Sequence, residues 1–218
     1  MNKKIAEKTT NLLLSIQAIS IRPYKPFRYT SGILSPIYID NRLIISCPKV
    51  RKRIISFYIE IIRERIGLEK VELLSGTATA AIPHAAFISQ KLNLPMVYVR
   101  DTKKGHGKKN QIEGVIKKGQ KALIIEDHIS TGGSLVGNAK AVRSAGGKVK
   151  YAIGTTTYLM AKAEENFKKE KIKVLTLTDF KKIIDVAVKK KLIKKEDRNL
   201  VLAWAKDPKN WGKKFGFE

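Results

Sequence analysis

A single cysteine, Cys47, in 218 residues leaves no partner for an internal disulfide and fits a reducing compartment. It reads as a small buried hydrophobe rather than a catalytic thiol. No apolar run reaches the roughly 18 residues that a spanning helix needs. The stretch from Met1 to Thr10 lacks the apolar core of a secretory leader, so the chain is expected in the cytoplasm. A Walker loop is missing, since no Gly-Lys-Ser/Thr follows a glycine, and so is the G-x-G-x-x-G of dinucleotide-binding folds. Internal repeats and low-complexity linkers are absent too. Acidic residues are scarce: 19 against 44 basic ones, a net charge of +25. The excess is spread evenly. Residues 1–70 carry 14 basic and 5 acidic groups, residues 71–160 carry 13 and 5, and residues 161–218 carry 17 and 9. An even spread describes a cationic surface that draws in polyanionic small molecules, not a nucleic-acid-binding arm.

What is present centres on one stretch, Lys121-Ala-Leu-Ile-Ile-Glu126-Asp127-His128-Ile129-Ser130-Thr131-Gly132-Gly133-Ser134-Leu135. Ala122 to Ile125 reads as a buried strand with Glu126 and Asp127 at its end. A Ser-Thr-Gly-Gly-Ser turn follows, and a helical pattern begins at Leu135 and continues through Ala139 and Val142. A strand, a small-residue turn and a helix start form a cradle for phosphate: glycines let the backbone approach, N–H groups point outward, and the helix dipole favours an anion. Two carboxylates beside such a cradle would repel the anion unless they served another part of the ligand. Adjacent carboxylates accept hydrogen bonds from vicinal hydroxyls, so a sugar phosphate fits.

This stretch resembles the PRPP-binding motif of type I phosphoribosyltransferases. A second segment sharpens the resemblance. Phe27-x-x-x-Ser31-Gly32-x-x-Ser35-Pro36-x-Tyr38-x-Asp40-x-Arg42 is similar to the N-terminal signature of orotate phosphoribosyltransferases, where it forms part of a hood over the base. A third, Arg100-Asp101-Thr102-Lys103-Lys104-Gly105-His106-Gly107-Lys108-Lys109-Asn110-Gln111-Ile112-Glu113-Gly114, resembles the catalytic loop of the bacterial forms. The chain departs from common family patterns at Thr30, Ala80 and Asp101, positions often held by Lys. Thr155-Thr156-Thr157-Tyr158 stands where some members place an orotate-binding Arg.

The resemblance implies one α/β domain over residues 1–218, with a mainly parallel sheet flanked by helices. It divides into a hood (1–45), a core (about 46–180) and C-terminal helices (181–218). It implies transfer of ribose 5-phosphate from PRPP to orotate, giving orotidine 5′-monophosphate and pyrophosphate in pyrimidine synthesis. Lys104 and Asp127 are the implied catalytic residues. Arg100, Lys104, His106, Glu126, Asp127, His128, Ile129, Ser130, Thr131, Gly132, Gly133 and Ser134 are the implied PRPP ligands, and Ser130 and Tyr38 the implied orotate contacts. Mg²⁺ is expected to ride on PRPP with no dedicated protein ligand. A homodimer is expected, the 100–110 loop closing on the neighbouring site. A membrane partner is not expected, and a nucleic-acid partner is disfavoured.

Two alternatives remain. A purine or uracil phosphoribosyltransferase would share the PRPP motif but not the hood signature. A PRPP-sensing regulator would not need Lys104 and His106. By pattern, residues 4–19 form a helix with Ile5, Leu12, Leu13, Ile16 and Ile19 on one face, and His84 is a packed rather than catalytic histidine. Pro208 to Glu218, with Trp211, is expected to be a terminal tail packed on the surface.

Overall fold

The computed structural model describes residues 2–100 and 111–217; Lys104 and His106 lie outside them. The chain begins with helix α1 (Lys3–Ser15), whose Asn2 side chain accepts from the N–H groups of Lys4 and Ile5 and so caps the first turn. The helix stops short of the expected residue 19. Gln17 takes a left-handed conformation (φ 57°), and Ile19 opens strand β1 (Ile19–Ile21). The apolar spacing carries across this break because both elements bury the same side. The hood contains two small antiparallel sheets. Strands β2 (Phe27–Arg28) and β3 (Leu34–Ser35) form the expected Ser-Gly hairpin, and β4 (Ile37–Ile39) pairs with β1.

The short helix α2 (Leu43–Ser46) leads into α3 (Pro48–Ile61), which a π-helical turn extends to Ile66. Then strands and helices alternate: β5 (Leu73–Thr77), α4 (Ile82–Leu92), β6 (Met96–Val99), β7 (Ile112–Glu113), β8 (Lys121–Ile129), α5 (Gly133–Ser144), β9 (Lys148–Thr157), α6 (Ala161–Lys169), β10 (Lys173–Thr176) and α7 (Phe180–Lys189). The chain closes with α8 (Asp197–Ala203) and α9 (Trp211–Lys214).

The main sheet runs in the order β10-β9-β8-β5-β6-β7, parallel throughout except for β7. Its central strands are apolar on both faces, as helices on both sides require. Leu74, Leu123, Ile125 and Ile153 join a core with α1, α3, α4 and α7. Leu73, Ile124 and Ala152 join a second core with Leu135, Ala139 and Val142 of α5.

From β5 the chain moves outward to β6 and β7, then returns to place β8 on the other side of β5. Connections therefore leave β5 and β8 in opposite directions. A crevice opens beyond the carboxyl ends of two such strands, which is where open parallel sheets bind ligands. The C-terminal segment packs onto the rest of the chain, mainly through its tryptophan. Trp211 is 1% exposed, donates from Nε1 to the Leu200 carbonyl at 2.9 Å and stacks on Phe217. Burying its large ring outweighs the polarity of its neighbours.

Candidate active site

Strand β8 runs four residues past its apolar stretch, so Glu126 and Asp127 lie inside the strand rather than after it. Their carboxyl groups interact with each other, and the Asp127 N–H donates to Glu126 Oε1 at 3.2 Å. Glu126 is buried and Asp127 half-buried. Burial first, and the adjacent Asp127 charge second, push the Glu126 carboxyl well above the usual carboxylate range; the Thr77 hydroxyl opposes this weakly. Thr77 closes a chain across to the neighbouring strand, accepting from Asn138 Nδ2 at 3.0 Å, while Ser75 donates to Asn138 Oδ1 at 2.7 Å.

The backbone of the acid pair is pinned from the other side. Tyr58, fully buried on α3, donates to the Glu126 carbonyl at 2.8 Å and lies 2.7 Å from Thr155 Oγ1. Asn41, at the end of the hood, donates from Nδ2 to the Asp127 carbonyl at 2.8 Å and to Thr156 Oγ1 at 2.7 Å. Thr156 in turn lies 2.8 Å from His128 Nδ1. The hood is thus joined to the strand that bears the acids.

After Ile129 the chain enters the 130–134 turn. Gly132 takes φ 76° and caps α5; a Cβ there would meet the Phe167 ring at 2.5 Å. Only glycine satisfies both constraints without rearrangement. The first turn of α5 holds no acidic residue and leaves its N–H groups without helical acceptors, so its partial positive charge faces the turn. A cavity of about 170 Å³ lies here, lined by Glu126, His128 and Ile129 of β8 and by residues 130–135. A larger hollow of about 680 Å³ lies between residues 111–116 and α5, away from the acid pair. The charged side chain lining it, Lys140, is paired with Glu170 at 3.3 Å.

Comparison with known proteins gives this geometry a family. The phosphoribosyl transferase domain matches residues 46–191. An orotate phosphoribosyltransferase of Enterococcus faecalis is 46% identical over 210 residues, covering 96% of this chain and 99% of that protein. One from Coxiella burnetii is 47% identical over 206 residues, 94% of this chain and 98% of that protein. The chain belongs to the orotate phosphoribosyltransferases. Among solved structures, the orotate phosphoribosyltransferase of Aeropyrum pernix superposes with a TM-score of 0.72 at 25% identity, over 81% of this chain and 96% of that one. The UMP synthase of Leishmania donovani gives 0.76 at 26% identity, over 92% of this chain and 42% of that one.

In this member of the family, Glu126, Asp127, His128 and residues 130–134 come together at the end of β8. The Ile129 side chain is buried in the second core, which leaves only its backbone to face a ligand. Arg100, at the end of β6, pairs with Glu113 across β7 at 3.3 Å. Tyr38 is 38% exposed, its ring 5.8 Å from Phe27 and 6.3 Å from Tyr29, and Arg42 donates to its hydroxyl at 3.3 Å. His84 is packed, as its context predicts: 1% exposed, Nδ1 3.3 Å from the Ala80 carbonyl, its ring edge-on to Tyr58. Burial lowers its pKa, and the Asp127 charge opposes that.

Sequence reasoning passed over Asn41, Tyr58 and Thr156. Asn41 sits inside the quoted hood signature but carries no chemistry of its own. Tyr58 shows only as one apolar position on the inward face of α3. Thr156 stood out only as part of a segment lacking an Arg.

The donor set also bears on Mg²⁺. Among the described residues there is no cluster of three His, Cys, Asp or Glu side chains that could cage a metal ion. Glu126 and Asp127 at the end of β8 are the carboxylates that could meet the water shell of an ion carried by a ligand.

Proposed function

We propose that this chain transfers the ribose 5-phosphate group of PRPP to orotate, releasing pyrophosphate and forming orotidine 5′-monophosphate, the ribosylation step of pyrimidine synthesis. The observation that carries this reading is the acid pair running into a glycine turn at the sheet's switch point, in a chain about 46% identical to orotate phosphoribosyltransferases along nearly its whole length.

The 130–134 turn holds the 5′-phosphate through backbone N–H groups and the hydroxyls of Ser130, Thr131 and Ser134. Asp127, the more accessible acid, accepts from the ribose hydroxyls, and Glu126 orients it from behind. The base nitrogen forms a bond to the anomeric carbon as the bond to pyrophosphate breaks and the nitrogen's proton departs. Positive charge grows on the ribose ring in the transition state, where the anionic Asp127 favours it. Arg100, Lys104 and His106 take up the charge of the leaving pyrophosphate. Mg²⁺, riding on PRPP, supplies further charge neutralisation when bound. Tyr38 and Ser130 contact the base. The 100–110 segment closes over the neighbouring site of a homodimer and excludes water, which otherwise hydrolyses PRPP. The chain works in the cytoplasm.

The test is ultraviolet loss of orotate with PRPP and Mg²⁺, beside uracil, hypoxanthine and adenine, with Asp127→Asn as control. Turnover of orotate alone, lost in the variant, is expected. Turnover of a different base would discard the orotate assignment but keep the PRPP site.

A further inference from the structure

His128 presents an unused donor at the edge of the site. Its Nε2 is buried and has no hydrogen-bond partner among the described residues, and the residue lines the cavity at the end of β8. Its Nδ1 lies 2.8 Å from Thr156 Oγ1, and its ring meets Tyr158 edge-on at a centroid distance of 4.2 Å. Tyr158 continues into an aromatic wall, its hydroxyl 3.0 Å from that of Tyr29, whose ring faces Tyr38. His128 therefore stands between the phosphate cavity and the aromatic face of the hood.

The ring's tautomer follows from its neighbours. The Asp127 carbonyl can only accept, so the Asn41 amide nitrogen has to face it, and that same nitrogen donates to Thr156 Oγ1. With Asn41 donating to its oxygen, Thr156 is placed to give its hydroxyl proton to His128 Nδ1, and we assign the ring hydrogen to Nε2 on that arrangement. Burial pushes the His128 pKa down to about 4, so the ring is neutral at neutral pH. A buried N–H without an acceptor is unfavourable, and a ligand oxygen relieves it.

A carboxylate on the bound base is the fitting acceptor. Thr155-Thr156-Thr157 offers no cation for it, and Arg42, which donates to Tyr38, is committed to both oxygens of Asp40 at 2.6 and 2.9 Å. We propose that His128 is a specificity-determining residue, its Nε2–H oriented by the Asn41–Thr156 relay to donate to the carboxylate of the pyrimidine. This rests on the orotate reading above.

The experiment measures equilibrium binding of orotidine 5′-monophosphate and uridine 5′-monophosphate, which differ by that carboxylate, to the full-length protein by calorimetry. The wild type is expected to favour the carboxylated nucleotide. His128→Leu should narrow the preference for the carboxylated nucleotide by roughly tenfold, as loss of one charge-assisted hydrogen bond implies. His128→Gln, which keeps an N–H donor, should retain part of the preference and serves if the leucine variant fails to fold. Thr156→Val, which frees the tautomer, should narrow the preference by a smaller factor. Equal weakening of both nucleotides, or an unchanged preference in both His128 variants, would overturn the assignment to His128 alone. A wild type that binds both nucleotides equally would overturn it together with the orotate reading.

Discussion

The Tyr58 hydroxyl tests how the acid pair is held. It donates its one proton to the Glu126 carbonyl, so at its other contact Thr155 is the donor. Tyr58→Phe keeps the ring, fully buried among α3, β8 and β9, and removes only the oxygen. Two hydrogen bonds disappear, each contributing about 1 kcal/mol net. The Thr155 hydroxyl, 0% exposed, is left without its acceptor and adds part of a further desolvation cost of about 1–3 kcal/mol. The expected loss is about 2–3 kcal/mol. For a chain of this size that lowers Tm by about 4–12 °C, at roughly 2–4 °C per kcal/mol. Urea unfolding followed by the fluorescence of the buried Trp204 and Trp211 reads it directly, as a lower midpoint at unchanged slope. A loss below about 0.5 kcal/mol would refute the claim that this hydroxyl fixes the end of β8.

Gly132→Ala would drive a Cβ into the Phe167 ring at a positive φ, so KM for PRPP should rise at least about tenfold; an unchanged KM would mean the turn does not need this shape. Glu126→Gln bears on pH. Burial and the Asp127 charge raise the Glu126 pKa in the fold, so its contribution to stability is complete below the ordinary value of 4.5 and is lost as pH rises through the raised value. The variant should therefore be the more stable protein at pH 8, with the gap closing as pH falls toward 4.5 in parallel thermal melts. A gap independent of pH would contradict the assignment. Lys104→Ala should lower kcat by about a hundredfold or more while PRPP binding changes by only a few-fold, and single-turnover kinetics separate the two. Equal losses in both would contradict a role confined to the transition state.

Much of the fold was legible because its signals are local. The apolar stretch Ala122–Ile125 has the continuous character of a strand covered on both faces, and Asp179 marks the start of α7 by capping it through the Lys182 N–H. The phosphate turn was legible for the same reason, since all its parts lie within five consecutive residues. The first helix was misjudged because strand β1 continues its apolar face after the turn at Gln17. The depth to which Trp211 is buried was not legible, because nothing adjacent in sequence announces it. The supports of the site were hidden most deeply. Asn41, Tyr58 and Thr156 come from three separate elements, and each matters only for what folding brings within 3 Å of it.

That arrangement changes what the two acids do. Read as neighbours after a strand, Glu126 and Asp127 look like equal partners for a pair of ribose hydroxyls. Inside the strand they are unequal. Glu126 is 5% exposed, faces the Thr77 hydroxyl and is biased toward its protonated form, while Asp127 is the half-buried one. Two carboxyl groups in contact hold one negative charge more readily than two. On the function proposed above, a single charge would stabilise a cationic ribose without repelling a phosphate held in the turn that begins three residues further on. A doubly ionised pair would oppose that phosphate. Burial of Glu126 is therefore the feature by which, on that reading, one short segment holds an anion and favours a cation at once.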